Sequence, residues 1–306
     1  MSGRYIFLVH PVAGSGRGRR RLERLLARDP ELRRRSRVCA ASSSSDVVEH
    51  LRGRAATAVA VGGDGTVNMV ATALVREGAH RPMGVLPFGT GNAFAHSLGL
   101  GSTRAAVRAL HAGTIQSVDV LRTDHPHVPL ALVSISCGFE ARHIRRYAKL
   151  RGWPRPLAAA LACMSAMPRS TRGVTFTVDG HALIAPGTAV YNAGVYNHRC
   201  YMGGWTVWPD ADPGDGAAEA VVFRTGRTYA GALLKGVRTA SPASPDGDPA
   251  WTRCSRAILE SGEPFQIDGE AVACSRISIE VHRGALHVLV PGPVPVQSAA
   301  IPQPAV

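Results

Sequence analysis

Short apolar runs recur along the first third of the chain, and most of them are followed by apolar residues at helical spacing. Strands that alternate with helices in this way are typical of a parallel α/β sheet. Asp46 is expected to cap one helix, and Thr66 or Asn68 to open the next. The fold class predicted for residues 1–115 is therefore an α/β domain with a parallel sheet. The pattern predicts strands at 5–9, 37–40, 58–61 and 83–87, and helices at 19–26, 46–51, 66–75, 93–98 and 103–112.

From residue 116 the pattern changes to short β-rich segments separated by glycine, proline and aspartate. Segments of this kind favour an all-β second domain of sandwich type over residues 116–290. One helical interruption is expected at 141–167, and the last segment can pack back on the first domain. The proline-rich residues 291–306 are predicted to form a disordered tail. Strands are predicted at 118–122, 130–136, 174–178, 188–192, 220–223, 265–267, 277–281 and 286–290.

Three glycine-rich turns follow predicted strands of the first domain, at 10–18, 62–66 and 88–92. Glycines let a polyphosphate approach the N–H groups at a helix start, which are unpaired and carry partial positive charge. Because the carboxyl ends of parallel strands lie at one edge of a sheet, the three turns are expected to converge there. An ordinary strand-to-helix turn is the alternative, but Asp64 adds a charge that such a turn does not need.

The chain carries a net charge of +13, and its only lysines are Lys149 and Lys235. This balance indicates an anionic partner such as a nucleotide phosphate, a nucleic acid or an anionic membrane surface. The arginines at 17 and 19–21 are interpreted as the solvated face of a helix. The basic stretch 142–155, which includes Tyr147 and Trp153, is either a membrane-docking face or a solvated helix.

The six cysteines show neither a metal-ligand spacing nor a disulfide framework, which favours buried thiols in a reducing compartment. No apolar region typical of a signal peptide stands near residue 1. The apolar stretch 157–167 is too short for a membrane span, which needs about 20 residues. We therefore expect a cytoplasmic protein, with peripheral contact at the inner face of the membrane as an alternative.

Two segments of the second domain concentrate carboxylates. In an extended Asp268-Gly269-Glu270 segment both side chains would project to the same side, which suits a general base and a partner carboxylate. The alternative is a β-turn with Asp-Gly at its corner. The aspartate loop at 210–215 is either a solvated turn or an oxygen-ligand site for a hard cation.

Four motifs follow one another along the chain: Gly62-Gly63-Asp64-Gly65-Thr66 with Asn68, Pro87 with Gly89-Thr90-Gly91-Asn92, the stretch 209–216, and Ile267-Asp268-Gly269-Glu270. Together they resemble the diacylglycerol kinase and sphingosine kinase family in its soluble bacterial form, over about residues 5–290. The resemblance implies a nucleotide-binding domain, a β-sandwich and a cleft between them. It also implies an ATP-dependent kinase that phosphorylates the hydroxyl of a diacylglycerol-like lipid with the help of magnesium.

Phosphoryl transfer needs positioning and neutralisation of charge, so the ATP phosphates are expected to lie among the glycine turns, with Asp64 placed to hold their magnesium. The resemblance implies Glu270 as the proton acceptor and Asp268 as its partner. It further implies a structural magnesium at the carboxylate of Asp215 and the backbone carbonyls of Asp212 and Ala217. The predicted ATP-binding residues are His10, Pro11, Val12, Ala13, Gly14, Gly62, Gly63, Asp64, Gly65, Thr66, Val67, Asn68, Met69, Gly89, Thr90, Gly91 and Asn92.

The chain departs from the family pattern at His10, Met69 and Ala93, where asparagine, glutamate and aspartate are usual. These departures motivate one alternative, a catalytically weak nucleotide-binding regulatory protein. A NAD kinase-like enzyme is a second alternative, disfavoured because residues 87–92 and 209–216 resemble the lipid kinases. No nucleic-acid partner is expected, since one would explain the charge but not the carboxylates. The oligomeric state is left open, with a homodimer as one alternative.

Overall fold

The computed structural model describes residues 4–14, 16–78, 81–150, 152–167, 169–201, 204–237 and 247–292. The disordered tail predicted at 291–306 lies outside these residues, except for its first two positions.

The first part of the chain forms the predicted α/β domain. Its parallel strands lie in the order β2-β1-β3-β4, and β1 pairs with both of its neighbours. The last five residues of β3 are buried, because the helices pack their apolar faces on this sheet. The elements are β1 (Arg4–Val9), α1 (Gly18–Arg28), α2 (Pro30–Arg34), β2 (Ser36–Ala40), α3 (Ser44–Leu51), β3 (Ala56–Gly62), α4 (Asp64–Arg76), β4 (Met83–Pro87), α5 (Ala93–Ser97) and α6 (Thr103–Ala112).

The second part is mainly antiparallel and contains two facing sheets, as predicted. One is the six-stranded sheet β14-β13-β10-β7-β16-β17, and the other continues the first sheet as β4-β18-β15-β8-β9. A core of buried side chains drawn from both sheets separates them. The elements are β5 (Thr114–Thr123), β6 (Leu130–Ala131), β7 (Ser134–Gly138), α7 (Phe139–Lys149), α8 (Arg155–Ala166), β8 (Thr175–Val178), β9 (His181–Ala182), β10 (Asn192–Tyr196), β11 (Cys200–Tyr201), β12 (Trp205–Thr206), β13 (Ala218–Phe223), α9 (Gly226–Lys235), β14 (Ala250–Cys254), β15 (Arg256–Glu260), β16 (Phe265–Ile267), β17 (Glu270–Val272) and β18 (Arg276–Val290).

The long strand β18 joins the two parts. It pairs with β4 at Val288 and Met83, and with β5 along most of its length. The sequence predicted two strands here, at 277–281 and 286–290, because a polar stretch divides them. That stretch is a register shift between His282 and Leu286 inside one continuous strand. The last strand of the described residues therefore packs back on the first domain.

Several predicted boundaries were wrong. Ser43, not Asp46, caps α3, and Asp46 is the third residue of a capping box. Helix α4 begins at Asp64, not at Thr66 or Asn68. The strand predicted at 130–136 is divided into β6 and β7, the strand predicted at 188–192 lies at β10, and the helical interruption is two helices. Helix α9 was not predicted, because its short apolar spacing lies within a glycine-rich stretch.

Candidate active site

The second and third glycine turns pack backbone against backbone. The N–H groups of Phe88 and Gly89 donate to the Gly62 carbonyl at 2.8 and 3.1 Å. A Cβ atom on Gly89 would lie 2.3 Å from Cα of Gly63, so only glycine fits there. Asn92, in a left-handed conformation, closes the third turn by accepting from the Gly89 N–H at 3.1 Å and donating to its carbonyl at 3.0 Å.

The three turns converge on one cavity of about 740 Å³ at the carboxyl ends of β1, β3 and β4. Helix α4 begins here without a side-chain cap, so N–H groups of its first turn are available to an anion. This first cavity is lined by His10, Val12, Ala13, Gly14, Gly63, Gly65, Thr66, Met69, Gly89 and Thr90 from the predicted set, and by Arg17, Gly18, Arg21, Ser42, Phe88 and Glu270 in addition.

Two exposed arginines of the basic segment, which the sequence pattern assigned to a solvated helix face, also line the first cavity. Arg17 and Arg21 are one helical turn apart, and the Arg21 guanidinium lies over the ring of Phe88, 4.3 Å from its centroid. Arginine side chains beside unpaired helix N–H groups complement a polyphosphate. The signal that could have identified them is their four-residue spacing directly after a glycine turn at a strand end.

Seven predicted ATP-binding residues do not line the first cavity, and two of them, Asp64 and Gly91, line a second cavity described below. Val67 is buried in the core of the first domain, and the Asn92 amide is bonded to Gly89. Pro11 and Gly62 belong to the turns without lining the cavity. The side chain of Asn68 points away, toward the second domain. Met69 does line the cavity, and its partly buried side chain also packs against the core of the first domain.

The carboxylate of Asp64 faces the start of α5. Its Oδ1 accepts from the Phe94 N–H at 3.2 Å, and a Cβ atom on Gly91 would lie 3.0 Å from its Oδ2. Burial raises the pKa of Asp64, although the N–H group of Phe94 acts in the opposite direction. Both Asp64 and Gly91 line a second cavity, of about 410 Å³.

The Asp268 motif is a hairpin, so the expectation of an extended segment was wrong and the alternative turn is correct. Ile267 pairs with Glu270, and the two residues between them have φ values of 47° and 84°. Asp-Gly is the sequence that this type of two-residue loop favours, because both positions need positive φ. The two carboxylates therefore point to different places.

Asp268 is an anchor for the segment between β6 and β7. Its carboxylate accepts from the N–H groups of Leu132 (2.7 Å), Val133 (2.8 Å) and Ser134 (3.0 Å). It also accepts from the amide of Asn68, on α4, at 2.8 Å. Burial raises the pKa of Asp268, against the effect of these donors. Asp268 thus fixes the hairpin in place and ties it to the first domain.

Asn68 connects the two parts of the molecule. Its amide donates to Asp268 and, at 3.1 Å, to the Leu130 carbonyl, and its oxygen accepts from the Thr72 hydroxyl at 3.1 Å. The side chain that the sequence assigned to nucleotide binding therefore positions the hairpin against α4.

Glu270 is exposed and lines both the first and the second cavity. A Cβ atom built on Gly65 would lie 3.8 Å from its Oε1, so its carboxylate faces the first turn of α4. The second cavity is lined by Asp64, Gly65, Gly91, Ala93, Val133, Ser134, Ile144, Tyr147, Tyr201, Asp268, Gly269 and Glu270. Glu270 is therefore the carboxylate that both compartments share.

A buried polar network packs behind the hairpin and supports it, and no sequence pattern predicted this network. The Gln266 oxygen accepts from the Gly269 N–H at 2.9 Å, and its amide donates to the Ser134 and Ser136 hydroxyls. Ser136, Tyr196 and Tyr229 donate in turn to the carboxylate of Glu140. Burial raises the pKa of Glu140. A Glu at the start of a helix is an ordinary surface feature, so only the fold reveals its role.

The aspartate loop is held by the chain itself. The Asp215 carboxylate accepts from the Arg253 guanidinium and, at 3.0 Å, from the Ala217 N–H, and the Asp212 side chain accepts from Gly214 at 3.0 Å. Carboxylate and carbonyl oxygens suit a hard cation, but a cation would have to compete with Arg253. Among the described residues, no group of three His, Cys, Asp or Glu side chains could hold a metal.

Buried Asp119 anchors the same loop, a role that the sequence did not reveal. Its carboxylate accepts from the Gly216 N–H at 2.6 Å and from the Gly284 N–H, at the bulge of β18, at 2.7 Å.

Among the parts of the chain that the structure describes, no helix has the length and apolar character to cross a bilayer.

The comparisons with known proteins agree with this architecture. A model of the diacylglycerol kinase catalytic domain matches residues 4–123. The "Probable lipid kinase YegS" of Salmonella newport is 30% identical over 260 residues, 78% of this chain and 79% of that protein. The "Probable lipid kinase YegS-like" of Klebsiella pneumoniae is 28% identical over 255 residues. A crystal structure of a diacylglycerol kinase from Bacillus anthracis has a similar fold, with a TM-score of 0.68 at 17% identity over 94% of this chain and 97% of that chain.

Proposed function

The chain belongs to the diacylglycerol kinase family of lipid kinases, and we propose that it transfers the γ-phosphate of ATP to the hydroxyl of a diacylglycerol-like lipid. The observation that carries this proposal is the position of Glu270 on the wall of two cavities. One cavity contains glycine turns and arginines, and the other is partly apolar. A donor and an acceptor in these two compartments would meet at this carboxylate.

In the proposed reaction the ATP phosphates lie in the first cavity, against the start of α4. Arg17 and Arg21 neutralise part of their charge, and Glu270 accepts the proton of the attacking lipid hydroxyl. Asp268 holds the hairpin so that Glu270 faces Gly65. Magnesium, when bound with ATP, would neutralise phosphate charge, and Asp64 is its proposed protein ligand because its Oδ2 faces Gly91 at the border of the second cavity.

The second cavity supports a lipid acceptor by its size and lining. Its volume of about 410 Å³ is at the low end of the range for small-molecule sites. Ala93, Val133, Ile144 and Tyr201 contribute apolar surface. A space of this size suits a small polar headgroup with a hydroxyl, while long acyl chains would extend beyond it.

We further propose that α8 rests on the surface of a lipid bilayer. Four large apolar side chains in and beside this helix are about half exposed: Trp153 (52%), Leu157 (45%), Met164 (59%) and Met167 (54%). Exposed Arg145 and Lys149 on neighbouring α7 add the positive charge that an anionic bilayer attracts. Ile144 and Tyr147 of α7 line the second cavity, which would place the cavity close to the membrane.

One basic residue of this region has a structural role instead. Arg142 is buried and donates to Glu263 at 2.7 Å and to Thr171 at 2.8 Å. Arg142 therefore lies neither on a membrane-docking face nor on a solvated helix face, so both interpretations of the stretch 142–155 are wrong at this position. Location in the cytoplasm and assembly as a homodimer stay predictions.

A labelled-ATP assay tests the function. The protein is incubated with γ-labelled ATP, magnesium and vesicles that contain diacylglycerol, with NAD and a mixed lipid extract as parallel acceptors. Label in phosphatidate, abolished in the Glu270→Gln variant, is the expected result. Label in NAD would support the NAD kinase-like alternative instead. Binding of ATP without transfer to any acceptor would support a regulatory protein.

A further inference from the structure

A large cavity lies at the end of the first sheet opposite to the glycine turns. It has a volume of about 700 Å³ and opens where β1, β2 and β3 begin, beside Arg4, Ser36 and Ala56. Strand β1 runs from Arg4 here to Val9 at the first cavity, a length of roughly 17 Å for six residues. This space, which we call the basic cavity, is therefore separate from the candidate active site.

The basic cavity is lined by five arginines from different elements. Arg4 comes from β1, Arg34 from the end of α2, Arg35 and Arg37 from the start of β2, and Arg54 from the loop before β3. No carboxylate stands among the described residues that line it. Five guanidinium groups around one concave space repel each other, and the repulsion is relieved when an anion binds between them.

Contacts with the rest of the protein hold two of these arginines in place. Arg35 pairs with Glu31 at 3.3 Å and lies over the ring of Tyr5, 5.1 Å from its centroid. Arg54 donates through Nη1 to the backbone carbonyls of His50 (3.1 Å) and Arg52 (3.2 Å). The backbone contacts orient a guanidinium without neutralising its charge. Groups positioned before binding lose less conformational entropy when a ligand arrives.

We propose that the basic cavity binds an anion that carries phosphate groups. The planar fork of arginine matches phosphate oxygens in pairs, which lysine cannot do. The volume is sufficient for a ligand with several phosphates or for a phosphorylated headgroup. Such a ligand could be a free polyphosphate compound or the headgroup of an acidic phospholipid. The proposal does not rest on the kinase activity, because the basic cavity lies at the far end of the sheet.

The test compares two variants that remove the same charge. Arg34→Gln/Arg37→Gln changes the basic cavity at two exposed residues, and Arg104→Gln/Arg108→Gln changes two exposed residues of α6. Calorimetry with tripolyphosphate at 150 mM salt is performed on protein saturated with a non-hydrolysable ATP analogue. Vesicle flotation with phosphatidate or phosphatidylglycerol in phosphatidylcholine is the second arm. Thermal unfolding confirms that each variant folds, and Arg4→Gln replaces the double variant if it does not.

We expect tripolyphosphate or phosphatidate vesicles to bind at least tenfold more weakly to the basic-cavity variant, and within twofold of wild type to the α6 variant. If the basic-cavity variant loses binding only to tripolyphosphate, the ligand of the cavity is a free phosphate compound. If it loses binding only to the vesicles, the ligand is a lipid headgroup. Equal losses in both variants, or no loss in either arm, would overturn the proposal. If the ATP analogue fails to bind, the proposed kinase function is in question but this test is not. Neither variant changes the first cavity, so the difference in phosphate binding between the two variants still measures binding at the basic cavity.

Discussion

Two hairpins of this molecule share one turn and differ in their surroundings. Val178 pairs with His181 across Asp179-Gly180, and Ile267 pairs with Glu270 across Asp268-Gly269. The φ values of the turn residues are 47° and 88° in the first hairpin and 47° and 84° in the second. The local sequence specifies the same backbone twice, yet only the second hairpin borders the candidate active site.

The two aspartates show where the difference arises. Both carboxylates accept backbone N–H groups: Asp179 from Ser255 and Arg256, and Asp268 from the segment after β6. Only Asp268 also accepts from a residue of the first domain, Asn68. Burial raises the pKa of Asp268. At exposed Asp179 burial acts in the same direction, but the hydrogen bonds from Arg256 and Ser255 together outweigh it and lower the pKa. The environment, not the turn, distinguishes the two sites.

The residue after the turn gives the sharpest test of this comparison. Glu270→Gln should lower kcat of the proposed kinase by about 10²- to 10⁴-fold, since general bases contribute that much. His181→Gln, at the equivalent position of the other hairpin, should leave kcat unchanged. Both side chains are exposed, so thermal unfolding should not change in either variant. Full activity of Glu270→Gln would remove this carboxylate from the mechanism.

Replacement of the turn aspartates tests the anchors themselves. Asp268→Ala leaves three N–H groups and one amide without their acceptor, and should lower the free energy of unfolding by about 3 kcal/mol. Asp179→Ala should cost about 1 kcal/mol, because its partners can be solvated. Both variants place alanine at φ 47°, so backbone strain is common to the two and cancels.

Urea denaturation of the two variants measures this difference directly. Equal losses would show that the contacts of Asp268 with Leu132, Val133, Ser134 and Asn68 stabilise the protein no more than those of Asp179 with Ser255 and Arg256.

The glycine turns around the first cavity could be predicted from the sequence much better than the contacts of the hairpin at 267–270. The turns at 62–66 and 88–92 are local: strand, glycine and helix follow one another, so their chemistry can be read along the chain. Asp268 binds residues more than 130 positions away, and no local pattern encodes such contacts. For the same reason the contacts of Asn68 with Asp268 and Leu130 were not predicted, and the roles of Asp119 and Glu140 were missed.

Asn68 is the contact that the Asp179 hairpin lacks. Asn68→Ala removes the donors to Asp268 and Leu130 and should lower the free energy of unfolding by about 1.5 kcal/mol. Because the hairpin would lose its link to α4, kcat should fall about tenfold while the dissociation constant of an ATP analogue stays the same. Thr72→Val, which removes only the donor to the Asn68 oxygen, is the control and should have a smaller effect on both quantities. Weaker binding of the analogue to Asn68→Ala would instead return Asn68 to the nucleotide site.

Asp215 extends the comparison to a carboxylate that is held by a guanidinium as well as by a backbone N–H group. Half-exposed Arg253 pairs with one oxygen of this carboxylate, and the other accepts from the Ala217 N–H. A guanidinium on a flexible side chain can be displaced, so the structural magnesium predicted at Asp212, Asp215 and Ala217 should bind weakly in wild type and more tightly in Arg253→Ser. At free magnesium about five times the dissociation constant, the variant should gain about 1 kcal/mol of stability.

Thermal unfolding with magnesium or with EDTA measures this gain without reference to activity. Arg276→Ser, which removes a similarly exposed arginine paired with Asp124, controls for the loss of charge and should respond to magnesium as wild type does. A magnesium response in wild type as large as that of Arg253→Ser would mean that Arg253 does not compete for Asp215. The aspartate loop at 210–215 would then be held by magnesium as well as by Arg253. Asp215 would in that case differ from Asp179 and Asp268, whose partners all belong to the chain, because it would also bind an ion from solution.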